Sequence, residues 1–277
     1  MARLRLASTD EIPPAYYSDD EAYSSQAIPI TRVVDSQEHR TGSTIILLDA
    51  STSMDMIPPR PNYDGYLITG YFRYGQRKGK DISKGIVRRF VDAMSHHDNN
   101  IDGYQLVSFS TEAEYVGFIN RHNFEWTWGS IEFVGTSRLM TGFQKAKDLH
   151  FQQYPESATY HPIYGWQAGP KTPMLRLLLI INGETNGIPE LELELLDLPW
   201  VRITIFLMGA NGCMRHHQLA NELQRMSFFL SNLSFVDAQG NIPERFVTHE
   251  LLKRHLGYNL SMAEFEALEK LPPPYAE

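Results

Sequence analysis

One cysteine, Cys213, stands in the 277-residue chain, so no disulfide can close within it and nothing in its cysteine usage points to an oxidising compartment. Basic residues are outnumbered, 25 Lys and Arg against 33 Asp and Glu, for a formal net charge of −8. The local basic spots, Arg73 to Lys80 and Arg88-Arg89, read as a loop and a solvated helix face. With no extended patch to displace counterions, nucleic-acid binding is not expected. No run approaches the ~20 apolar residues needed to span a bilayer, and no apolar stretch of signal-peptide length opens the sequence. The expected setting is therefore intracellular, in the cytoplasm. Also missing are the Gly-x-Ser-x-Gly elbow, the Gly-x-x-x-x-Gly-Lys-[Ser/Thr] phosphate loop and the His-Glu-x-x-His zinc signature. A non-catalytic protein is expected.

What is present is an alternation of buried-strand runs and helical patterns. With 42% hydrophobic residues the chain can build a substantial core. Thr44 to Asp49, Leu177 to Ile181 and Val201 to Met208 are apolar, β-branched runs of the kind that fill a parallel sheet. Gly103 to Phe109 has β character, residues 112–118 are expected to pair with it at the edge, and Leu233 to Val236 reads as the last strand. Helical spacing appears in Ile82, Ile86, Phe90 and Ala93, in Leu139, Phe143, Ala146 and Leu149, and over Met214 to Phe229. Such alternation implies an α/β fold with a doubly wound, mostly parallel central sheet flanked by helices. Residues 1–40 form a polar arm, 41–240 the domain, and 241–277 terminal helices (244–256 and 260–270) with a proline-rich tail. Residues 57–80 read as an insertion, and 151–173, rich in aromatics and proline, as a long ordered loop. His96-His97 and His216-His217 are adjacent pairs that face different ways on a helix, so each is a poor chelate and is expected at the surface.

Chemistry concentrates at the end of the first strand. Asp49 is followed by hydroxyls at Ser51 and Ser53, an all-oxygen half-shell suited to a hard divalent cation. Ligands bind where the strands of an open α/β sheet end. A carboxylate so placed also begins haloacid-dehalogenase-type phosphatases, but their second Asp falls at Ser51 here, which removes the general acid. Two later features share the context: Gly135-Thr136, in a loop before a helix, and Asn182-Gly183-Glu184, directly after the second buried strand.

In this order the residues resemble the von Willebrand factor A domain and its metal-ion-dependent adhesion site, over roughly residues 40–240. The resemblance implies that Asp49, Ser51, Ser53, Thr136 and Asn182 surround Mg²⁺ or Mn²⁺. Hydroxyls would contact the ion, Asp49 and position 182 would act through water, and a partner protein's Asp or Glu would complete the shell. At 182 the family usually has Asp. With Asn there the site would keep a net charge of about plus one, a weaker but more electrophilic centre, with Glu184 lending charge from nearby.

Both ends carry a further motif, Pro13-Pro14-Ala15-Tyr16 and Pro272-Pro273-Pro274-Tyr275. Each fits Pro-Pro-x-Tyr, resembling ligands of WW domains, which read preformed polyproline II segments in aromatic grooves. The alternative function is an adaptor that recruits WW-domain proteins, such as ubiquitin ligases, through Pro13, Pro14, Tyr16, Pro272, Pro273 and Tyr275.

Overall fold

Thr44–Asp49 (β1) is buried along its whole length, as a run of Ile and Leu requires. It lies parallel between β2 (Tyr104–Phe109) and β6 (Leu175–Asn182), and β7 (Val201–Gly209) and β8 (Leu233–Gln239) continue the parallel array. Strand β3 (Ala113–Ile119) closes the other edge antiparallel to β2, giving the order β3-β2-β1-β6-β7-β8. The structure, a computed structural model, describes residues 44–57, 78–94, 102–163, 165–169, 171–209 and 214–239, with positions 249, 261, 263, 264 and 267. The N-terminal arm, most of the 57–80 insertion, most of the terminal helices, His96-His97 and both Pro-Pro-x-Tyr motifs lie outside the described residues.

Successive side chains of a strand face opposite sides of the sheet, and β1 divides its residues accordingly. Ile46 and Leu48 pack with Ile86 and Phe90 of α1 (Gly79–Met94) and with Phe124 and Trp128 of α2 (Phe124–Gly129). Ile45 and Leu47 share the opposite core with Phe143 of α3 (Leu139–Gln153), Leu191 of α4 (Ile188–Asp197) and Leu223 of α5 (Met214–Phe229). Each fully buried aliphatic contributes ~1.5–3 kcal/mol, so both faces hold the sheet. The fold is the doubly wound α/β arrangement expected. Among the described residues no helix is long and apolar enough to cross a membrane.

Two glycines decide how closely elements approach. A Cβ on Gly142 of α3 would stand 2.8 Å from the Phe109 ring, so glycine lets the helix rest on β2. Gly187 takes φ +100 to turn the chain into α4, whose first turn accepts Pro189.

The expected loop over 151–173 is instead partly regular. Helix α3 runs to Gln153, and β4 (Ala158–His161) pairs antiparallel with β5 (Gly165–Ala168) as a small separate hairpin. Four-residue strands are too short to show a period in sequence. Their pairing is held by the cross-strand couple Tyr160 and Trp166, whose rings meet edge to face at 5.3 Å.

Candidate functional site

Because β1 and β6 are parallel neighbours, Asp49 and Asn182 end up at the same carboxyl edge of the sheet. The Asp49 carboxylate is 0% exposed. Its Oδ1 accepts the Ser51 N–H (2.9 Å), and its Oδ2 accepts the hydroxyls of Ser137 (2.7 Å) and Thr185 (3.1 Å). Burial pushes the Asp49 pKa up from the ordinary carboxylate value, against the opposing pull of the hydrogen bonds from Ser137, Ser51 and Thr185. All three donors are neutral. Among the described residues no Lys, Arg or His forms an ion pair with this buried acid.

The loop beyond β1 turns at once into a short 3-10 segment, Thr52–Asp55, which brings Ser51 Oγ within 2.8 Å of Ser53 Oγ. The Asn182 amide Nδ2–H donates to Ser53 Oγ (2.8 Å), and its Oδ1 accepts the Glu184 N–H (2.9 Å). Asp49, Ser51, Ser53 and Asn182 are thus one connected cluster. The loop that carries Thr136 comes alongside through the backbone of the two residues before it. Gly135 at φ +80 offers its carbonyl to the Thr52 N–H (3.1 Å), and the Val134 N–H donates to the Ala50 carbonyl (2.9 Å). The exposed Thr136 side chain itself faces Thr111, with Oγ1 to Oγ1 at 3.4 Å.

Neighbouring carboxylates are already engaged. Glu184, expected to lend charge, is exposed and paired with the Arg215 guanidinium of α5, so the couple adds no net charge. Asp55, two residues past Ser53, is held below the usual carboxylate range by hydrogen bonds from Lys80 and Lys78. Two lysines share this one aspartate, and Asp81 follows them in the first turn of α1. Among the described residues no three His, Cys, Asp or Glu side chains converge as a metal site, so a cation held here would rest on hydroxyl and amide oxygens around one carboxylate.

His216, expected at the surface, is instead 1% exposed and bonded through Nε2 to Asp237 Oδ1 (2.7 Å). Gly183 and Gly209 make room for it. A Cβ on Gly209 would lie 1.8 Å from His216 Nδ1, and one on Gly183 3.2 Å from the His216 backbone. The start of α5 is thereby seated on the same sheet edge as Asn182. Sequence reasoning missed Ser137 and Thr185, which hold the Asp49 carboxylate. Their signal was modest: hydroxyls in the two loops already singled out, one residue past Thr136 and three past Asn182.

Neither the protein-family models nor the curated proteins compared with the chain give a match. Solved structures do. The BatB protein of Bacteroides thetaiotaomicron is similar at 15% identity and a TM-score of 0.44, over 76% of this chain and 97% of that one. A von Willebrand factor type A protein from Catenulispora acidiphila matches at 12% identity and TM-score 0.46, over 77% of this chain and 42% of its own. Proximal thread matrix protein 1 of the mussel byssus, in a form with a zinc-occupied metal-ion-dependent adhesion site, matches at 15% and TM-score 0.42, over 80% and 48%. This chain therefore spans less than half of the last two.

Proposed function

We propose that this chain is a protein-binding module, not an enzyme, which captures an acidic side chain of a partner with the help of a divalent cation at the Asp49 cluster. One observation carries the reading: a fully buried carboxylate at the carboxyl edge of the sheet, surrounded among the described residues by neutral donors and adjoining a pair of serine hydroxyls. An ionised acid in that position is costly without a counter-charge. The donor set fits a hard cation on that ground, with Ser51 and Ser53 as direct holders, Asp49 and Asn182 orienting the shell, and Thr136 close by on the neighbouring loop. Bound there, Mg²⁺ or Mn²⁺ would supply the missing positive charge and a coordination position open to a carboxylate.

Asn182 sets the terms of binding. Its Nδ2–H occupies Ser53 Oγ and its neutral amide adds no charge, so about one unit of positive charge stays uncompensated once a dication is held. A partner's Asp or Glu neutralises it. The chain alone is therefore a weak binder of the bare ion.

Thermal unfolding with Mg²⁺, with Mn²⁺ and with chelator tests the cation half of this reading. A ligand that binds only the native state stabilises it by RT ln(1 + [L]/Kd), ~2.7 kcal/mol at a hundredfold excess, or ~5–10 °C in a domain of this size. With a glutamate-containing peptide present, a rise in wild type and none in Asp49→Asn is the expected outcome, and equal midpoints in all three conditions would remove the site.

A further inference from the structure

The hairpin lies at the end of the sheet opposite Asp49. Helix α3 starts near the carboxyl edge, where the Leu139 N–H meets the Asn186 carbonyl, and runs to the amino edge, where Phe151 touches Trp200 just before β7. Phe151 is buried and lies nearly parallel to Trp166 at 6.0 Å. Trp166 is thus held from one side by a core ring, while 39% of it stays open to solvent. Its cross-strand partner Tyr160 is 60% exposed, and Ile163, at the turn, 80%. Two aromatic rings crossed at 71° on a paired backbone form a ledge.

The size and shape of this ledge select its occupant. Each strand has four residues, about 13 Å at strand rise. That length accommodates about four residues of polyproline II, which rise ~3.1 Å each, and is too short to seat a helix of several turns. Proline rings pack on exposed Tyr and Trp and lose little entropy in docking, because their φ is already fixed. The chain carries two segments of this kind, Pro13-Pro14-Ala15-Tyr16 and Pro272-Pro273-Pro274-Tyr275, and the second has three consecutive prolines before its tyrosine, so that every residue of the four carries a ring for the ledge. Its reach is sufficient. Strand β8 ends at Gln239 on the carboxyl edge, and 32 residues separate it from Pro272. These span ~110 Å extended or ~50 Å if wholly helical, against ~30 Å for the nine residues of β7 that measure the sheet from edge to edge. Tethering gives a weak contact a high effective concentration.

We propose that the Tyr160–Trp166 ledge is a binding site for a proline-rich segment and that its occupant is this chain's own Pro272–Tyr275. The proposal stands apart from the cation site, at the other end of the sheet. The full chain labelled with 5-fluorotryptophan tests it, with the Trp166 resonance assigned through Trp166→Phe. Replacing Pro272, Pro273, Pro274 and Tyr275 together by Ala should move the Trp166 resonance and leave those of Trp126 and Trp128 in place. Adding a peptide of residues 270–277 to that variant should bring the Trp166 resonance back. The same peptide with its prolines replaced by Ala should need at least a tenfold higher concentration, as should the native peptide added to a chain that also carries Tyr160→Ala. An unmoved Trp166 resonance in the tail variant overturns the proposal, as does equal restoration by the Ala peptide. A wild-type resonance that depends on protein concentration would replace the chain's own tail by a neighbouring copy's and overturn the intramolecular form.

Discussion

Asp49→Ala should cost the domain stability where Asp49→Asn does not, and the two should diverge in a way that the hydrogen bonds around the carboxylate dictate. In the alanine variant the Ser51 N–H loses its acceptor in a site without solvent, at ~1–3 kcal/mol. Ser137 and Thr185 lose theirs too, but their hydroxyls lie 3.1 Å apart, so one can donate to the other and a single donor is left over. The loss comes to ~2–6 kcal/mol, offset in part by removal of a charge that burial disfavours. Asparagine keeps the volume, offers its oxygen to the Ser51 N–H and its amide hydrogens to the two hydroxyl oxygens, and leaves only one hydroxyl hydrogen without an acceptor, a cost that removal of the buried charge offsets. The pH dependence has a definite sign. Burial raises the Asp49 pKa above its unfolded value, so between the two the native state binds more protons. The contribution of Asp49 is complete below the unfolded pKa and is lost as pH rises through the folded one. Wild-type stability minus that of Asp49→Asn should therefore fall as pH rises above the ordinary carboxylate range, by no more than ~1.4 kcal/mol per pH unit because one proton is involved. Paired urea unfolding curves in chelator measure it. A difference that grows with pH, or an alanine variant as stable as the asparagine one, would refute this account of the carboxylate.

Other outcomes follow from the same geometry. Asn182→Asp exchanges the amide donor on Ser53 for a second negative charge; stability in chelator should drop by ~1–2 kcal/mol, while Mn²⁺ affinity, read by electron paramagnetic resonance of the free ion, should rise at least tenfold, and an unchanged affinity would contradict the charge argument. Gly209→Ala drives a methyl into His216 and should cost ~3 kcal/mol or somewhat less in chemical denaturation. The double variant Gly209→Ala/His216→Ala should lose less than the sum of the two single changes. Gly142→Ala presses on the Phe109 ring and should cost ~1–3 kcal/mol, an effect that Phe109→Leu in the same chain should relieve.

The parts of the fold legible in the sequence are those whose residues face one kind of surroundings along their length. β1, β6 and β7 are buried on both faces, so an unbroken apolar run reports them. Asp49, Ser51 and Ser53 were legible because a strand end, a carboxylate and alternating hydroxyls coincide in six residues. Long-range direction was not. Nothing in the sequence tells that the Ser137 and Thr185 hydroxyls turn inward to Asp49 while Thr136, between Gly135 and Ser137, turns out to Thr111. His216 resembles any helix-surface histidine until two glycines from separate strand ends are placed beneath it. In α4, Leu191, Leu193 and Leu195 alternate as a strand would. The helix is decided by Gly187 and Pro189 at its start and by Leu191 and Leu195 entering the core while Leu193 stays exposed. Glu184 was misjudged for a related reason: its partner, Arg215, is 31 residues away.

The central claim is that cation and carboxylate bind this chain together, each incomplete without the other. Mn²⁺ titration followed by water-proton relaxation, with and without a glutamate-containing peptide, measures that coupling directly. The account predicts at least fivefold tighter Mn²⁺ binding with the peptide, no gain with the glutamine version, and neither effect in Asp49→Asn. Mn²⁺ affinity that is indifferent to the carboxylate, or coupling that persists in Asp49→Asn, would contradict it.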